Sequence, residues 1–182
     1  MSAATNFWIR WRVRAGYLAG IVAFWFARPQ LTWLLCGAGI AILGLILRGY
    51  AAGHLRKHQQ LATSGPYAYT RNPLYLGSVL LAAGFCVASH SWISTIVLAA
   101  YLAVFYPAVM KREHGELESL YGAAFVEYAR CVPAFWPRLT PYAKRPAERF
   151  SLGLYKQNRE YEAAVGLGLA VAILWGLMLW RK

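Results

Sequence analysis

The stretch GPYAYTRNPLYLG, Gly65 to Gly77, decides how this chain is read. It holds two prolines, three tyrosines and an arginine, and Arg71-Asn72-Pro73 stands directly before an apolar run that ends at Ser89. Asparagine is a favoured N-cap and proline a favoured first helical residue, so a helix is expected to start at Pro73. Tyr67, Tyr69 and Tyr75 suit the interfacial belt where a helix enters a bilayer. The Gly65-Pro66 turn and Gly77 ask for more than a cap, because glycine inside the first turns lets a backbone or ligand come close. The exposed amides of such a helix start, together with the Arg71 guanidinium, make an anion-receiving site.

Outward from this stretch the chain has the composition of a membrane protein. Of its 182 residues 59% are hydrophobic and 15% aromatic, and only 14% are charged, against about 25% in soluble domains. The apolar residues gather into five runs, Phe7 to Ala27, Leu31 to Leu47, Leu74 to Ser89, Trp92 to Val109 and Tyr161 to Trp180. A single all-α domain over residues 1–182, an integral membrane bundle of about five spans, is therefore expected. The first run is the weakest: Arg10, Arg12 and Arg14 leave only Ala15 to Ala27 free of charge, short of the ~20 residues of a crossing. Its arginines can snorkel to the headgroups, or the run can pair with the second as a hairpin about Pro29. A cleaved signal peptide is disfavoured, since the run ends AFWFARP where small residues are wanted.

The net charge of +12 does not indicate nucleic acid, because the positive residues alternate by loop. With the N-terminus inside, Arg10, Arg12, Arg14, Arg48, Arg56, Lys57 and Arg71, then Lys111 through Arg159, all fall on the cytoplasmic side. Arg28, Arg181 and Lys182 fall outside. The cysteines, Cys36, Cys86 and Cys131, lack metal spacing and read as small buried apolar residues. His54 and His58 share a helix face, but no further ligand follows them and Arg56 and Lys57 repel a cation, so no metal is expected. The glycines of CGAG (Cys36 to Gly39) and GLG (Gly166 to Gly168) lie inside spans and read as helix-packing residues, not a dinucleotide loop. Pro107 is expected to kink the fourth span, and His90 to be polar and interfacial.

All seven acidic residues are glutamates beyond residue 110, so the polar chemistry lies toward the C-terminus. KREHGELESLYGAAFVEYARCVPAFWPRL, from Lys111, is helical by period until Val132-Pro133, with Leu117, Leu120, Tyr121, Ala124 and Tyr128 on one apolar face. That face extends back to Glu113 and His114. A carboxylate there, near the bilayer surface, needs a partner.

These two stretches carry a resemblance. GPYAYTRNPLYLG resembles the G-x-Y-x-x-x-R-H-P-x-Y-x-G signature of the isoprenylcysteine carboxyl methyltransferase and phospholipid methyltransferase superfamily. REHGELESLYGAAFVEYARCVPAFWP is similar to its second signature, an E-E pair followed by aromatic positions and Val-Pro. The resemblance covers about residues 40 to 140. It departs at Asn72, where histidine is commonest, at His114, where the second glutamate stands, at Tyr121 and Phe125, which exchange aromatic types, and at Ala134.

The resemblance implies an S-adenosylmethionine-dependent methyltransferase whose cofactor pocket faces the cytoplasm, built from residues 65–77 and 111–136. Its acceptor would be lipophilic and arrive from the bilayer. Tyr67, Arg71, Asn72, Pro73, Tyr75 and Leu76 would line the cofactor pocket with Glu113 and His114, and Arg71 and Glu113 would be catalytic. The span at 161–180 lies beyond the matched part. A carboxylate of the isoprenylcysteine type is the leading acceptor, already ionised and orientable by Arg71. The alternative is an amine phospholipid, which must first lose a proton to Glu113 or His114. A non-catalytic membrane protein whose basic loops bind anionic lipid is the reading from outside enzymology.

Overall fold

The computed structural model describes residues 3–57, 59–142 and 148–181, with side chains described from Trp11 onward. Among these residues all regular structure is helical: α1 (Ala3–Phe26), α2 (Leu31–Ala52), α3 (Pro73–Ser89), α4 (Trp92–Tyr121), α5 (Ala123–Cys131), α6 (Leu152–Gln157) and α7 (Tyr161–Trp180), with a short 3-10 helix at Gly65–Ala68. Every expected span is a helix. Among the described residues α2, α4 and α7 are long and apolar enough to cross a membrane, and α3 is apolar but shorter. Its 17 residues reach about 25 Å at ~1.5 Å per residue, slightly less than the hydrocarbon core. The chain is an all-helical membrane bundle.

Close backbone approach sets the centre of that bundle. α2 and α3 run antiparallel, and their glycines meet in two layers, Gly37 with Gly84 and Gly44 with Gly77. A Cβ on Gly84 would sit 2.5 Å from the Gly37 carbonyl oxygen, and one on Gly44 would sit 2.6 Å from that of Gly77. Without a hydrophobic drive between helices in lipid, such small-residue contacts are what hold spans together. The packing role read for the other span glycines fails: Gly39, Gly166 and Gly168 have open space where a Cβ would be. α1 packs mainly along α4 rather than folding back on α2. Ser94 on α4 donates to the Ala23 carbonyl at 2.7 Å, and both are buried.

The end of the bundle away from Arg71 closes over Ala27, Leu34, Ala88 and Leu174. There His90 ends α3 in a left-handed conformation (φ 46°) and stacks on Trp33. Arg181 donates to the carbonyls of Trp25 and Ala27, which ties α7 to the end of α1. α4 runs on through Pro107 as one helix. The cysteines are less buried than expected, with Cys36 and Cys131 exposed and Cys86 half-buried.

The helix expected to run unbroken to Val132 breaks at Gly122, whose φ of 52° favours glycine. The break turns α5 relative to α4 and changes the inward face. Leu120 is 53% exposed and Ala124 is exposed, while Phe125, Tyr128 and Val132 are buried with Leu61. The chain after α5 folds back over the approach to α3. From 148 to 160 it wraps the end of α2: Phe150 covers Gly53, and Asn158 donates to the carbonyls of Ala52 (3.0 Å) and Leu55 (2.8 Å).

Candidate active site

The start of α3, the end of α4 and the strap after α5 converge at one end of the bundle. Arg71 is placed by its own amide, which donates to the Pro133 carbonyl at 3.0 Å. Its Nη1 donates to His114 Nδ1 at 2.9 Å. Arginine has only donors, so Nδ1 is the unprotonated nitrogen of that imidazole. His114 Nε2 faces Glu118 at 3.7 Å, and the ring stands edge-on to Phe125. Burial lowers the Arg71 pKa from its ordinary value, partly opposed by the nearby Tyr128 phenol; arginine nonetheless keeps its charge. Arg71 Nε is buried without a hydrogen-bond partner.

Pro73 is the first residue of α3, and Asn72 occupies the N-cap position, as the sequence predicts. The Asn72 side chain does not cap, however. Its Nδ2 donates instead to the Ala134 carbonyl at 2.8 Å. Thr70, buried beside it, donates to the Phe135 carbonyl at 2.9 Å. The helix start is thus held by carbonyls of the strap, and its own amides have no side-chain cap.

One turn on, Tyr75 donates its hydroxyl to Glu113 Oε1 at 3.0 Å, which joins α3 to α4 and gives that half-buried carboxylate its partner. Tyr67 is 6% exposed, and its carbonyl accepts from Tyr128 Oη at 2.7 Å. Burial raises the pKa of both phenols, so they stay neutral. Tyr128→Phe should cost about 1–3 kcal/mol by leaving that buried carbonyl without its donor. The check is a lower thermal midpoint in detergent.

The residues expected to line the cofactor pocket lie at this end. Arg71 meets His114, Tyr75 meets Glu113, Asn72 and Pro73 form the helix start, and Leu76 lies half-buried on the first turn. Thr70 and Glu160 have no role in the sequence reading, which places Tyr128 only on an apolar face and Arg48 only on the cytoplasmic side. Arg48 Nε pairs with Glu160 Oε1 at 2.5 Å, and its Nη1 reaches Ser78 and the Leu74 carbonyl. The sequence marks Arg48, directly after the second apolar run, only as a cytoplasmic-side charge; nothing local points to Glu160. His54 Nδ1 donates to the Tyr50 carbonyl at 2.9 Å, and the ring lies over Gly65, whose φ is 57°. His58 lies outside the described residues.

A family model described as phospholipid methyltransferase matches residues 34–124, from α2 into α5. The chain belongs to the phospholipid methyltransferase family. This family member is 33% identical to the cobalt-zinc-cadmium resistance protein CzcN of Cupriavidus metallidurans, over 90% of this chain and 78% of that protein. It is 31% identical to the nickel-cobalt-cadmium resistance protein NccN of Alcaligenes xylosoxydans xylosoxydans, over 74% of this chain and 62% of that one. With protein-S-isoprenylcysteine O-methyltransferase B of Arabidopsis thaliana it shares 30% identity, over 66% of this chain and 68% of the other. No solved structure matches. Family and relatives together make this chain a membrane methyltransferase, and α6 and α7 lie beyond the segment that the family model matches.

Proposed function

We propose that this methyltransferase takes its methyl group from S-adenosylmethionine and delivers it to a lipophilic carboxylate of the isoprenylcysteine type, at the cytoplasmic face. The observation that carries the reading is the start of α3, where uncapped amides lie beside an arginine whose buried Nε has no partner. Such a start suits the carboxylate of an amino-acid-bearing cofactor. Arg71 would hold that group, with Tyr67, Asn72, Pro73, Tyr75, Leu76, Glu113 and His114 around it. S-adenosylmethionine supplies a methyl carbon activated on a sulfonium.

Bound there, the cofactor would supply that methyl carbon for an in-line displacement in which the acceptor oxygen would form the new bond and the sulfur would leave with the electron pair. No covalent enzyme intermediate is needed, so positioning supplies most of the acceleration. An ionised carboxylate needs no base, which agrees with the geometry. His114 Nδ1 is engaged by Arg71, and Glu113 Oε1 is engaged by Tyr75. The placement of Arg12, Arg14, Arg48 and Arg71 toward one end and Arg181 at the other supports a cytoplasmic orientation.

The test supplies methyl-labelled S-adenosylmethionine to the purified protein with a synthetic prenylcysteine and an amine phospholipid, then treats the products with base. Label released as methanol is the expected result. Base-stable label in an amine lipid would replace the carboxylate with N-methylation, and cofactor binding without transfer to either would overturn both acceptors.

A further inference from the structure

An apolar cavity of about 320 Å³ lies inside the bundle among α1, α2, α3 and α7, with Gly20, Ala41, Leu81, Gly166, Ala170 and Leu174 on its walls. Small ligand pockets begin near ~300 Å³. Two of its glycines leave the space open, because a Cβ at Gly20 or Gly166 meets nothing within 4 Å. Gly166 is also exposed, so the cavity opens sideways to lipid. Its lining is of small and apolar residues, and a hydrocarbon chain is the occupant that needs no polar partner there.

Toward the active-site end the cavity gives way to charge. Leu81 is three residues from Ser78, and Ala163, also on the wall, is three from Glu160, about one helical turn in each case. Ser78 and Glu160 are the partners of Arg48. The stem of Arg48 crosses α3 at Gly77, where a Cβ would come 2.5 Å from its Cγ. Its Nε is given to Glu160 and its Nη1 to Ser78 and the Leu74 carbonyl, while Nη2 has no partner among the described residues. The side chain is 23% exposed. Arg48 Nη1 reaches the Leu74 carbonyl in the first turn of α3, next to Tyr75 whose hydroxyl meets Glu113, so the pair borders the compartment where the two signatures meet.

We infer that Arg48 receives the ionised carboxylate of a single-chain amphiphile whose hydrocarbon tail enters the cavity past Gly166. Glu160 fixes the guanidinium and, as a counter-charge, tempers its hold on the carboxylate. The inference rests on the methyl-transfer reading only in naming this amphiphile as the acceptor. It gives the strap and α7 a direct part in acceptor recognition.

Three variants test it, with a labelled farnesylcysteine carboxylate, its neutral amide and a short-chain analogue as probes. Equilibrium binding in detergent is measured beside KM, and the affinity for S-adenosylhomocysteine by calorimetry. Gly166→Leu should weaken farnesylcysteine binding at least tenfold relative to the short-chain analogue. Arg48→Lys, which keeps a cation for Glu160, should weaken the carboxylate at least tenfold and the amide little. Glu160→Gln should tighten the carboxylate severalfold. S-adenosylhomocysteine affinity should hold in all three. Unchanged chain-length and headgroup preference, with only a lower thermal midpoint, would reduce Arg48–Glu160 to a staple and overturn the inference. Binding of farnesylcysteine with the expected variant effects but no methyl transfer would overturn the proposed function and leave this slot standing.

Discussion

Arg71→Ala should lower turnover by about 10²–10³-fold, the loss typical when a preorganised donor to a developing or bound charge is removed. The same variant should weaken S-adenosylhomocysteine binding at least tenfold, while the protein stays folded in detergent. Folding survives because the local backbone is tied independently of the side chain: the Arg71 amide bonds to Pro133, Asn72 to Ala134 and Thr70 to Phe135. Arg71→Lys should recover part of the binding but little of the turnover, since a point charge replaces a planar fork. Turnover and calorimetric affinity, measured on both variants, check this. Full activity in Arg71→Ala would remove Arg71 from the site, whereas absence of turnover and of S-adenosylhomocysteine binding in the unsubstituted protein would favour the reading of a lipid-binding protein.

The second large effect concerns the bundle. Gly84→Leu should destabilise the protein by about 3 kcal/mol or more, because its Cβ meets the Gly37 carbonyl and Ala41 across the α2–α3 interface rather than the tip of a flexible side chain. Backbone cannot give way there without separating the helices that carry Arg48 and the start of the site. Gly39→Ala is the matched control. It lies on the facing helix α2, two residues from Gly37, has nothing within 4 Å of an added Cβ, and should gain up to about 1 kcal/mol of helix stability. Thermal midpoints in one detergent compare the two; equal midpoints would remove the glycine contact as the organiser of the bundle.

Much of this architecture is legible in the sequence because the bilayer leaves few choices. Apolar runs become helices, and Asn72-Pro73 starts α3 where helix chemistry says it should. What escaped has a common cause. The Asn72 side chain abandons its capping role for the carbonyl of Ala134, 62 residues away, a competition that local preference cannot foresee. Gly122 looked tolerable within a helical period, but its positive φ breaks the helix and exchanges Leu120 for Phe125 on the inward face. The glycine layers were partly readable, since Gly37 and Gly44 are spaced as Gly77 and Gly84 are, whereas Gly166 shares their composition and faces open space. The partner that a carboxylate needs at a membrane boundary is the Tyr75 hydroxyl for Glu113, and not Arg71, which meets His114 instead.

The carbonyls that hold the start of α3 also order events during synthesis. The α2–α3 hairpin can form as soon as α3 has left the ribosome, but Thr70 has no acceptor until Phe135 follows, 65 residues later. Arg48 waits longest, 112 residues, for the carboxylate of Glu160. For most of translation the nascent chain therefore carries an unmatched cation in an inserting segment, and the arrival of the last span neutralises it. The end of the protein that holds Arg71 and Arg48 is completed only when the last helix has been made.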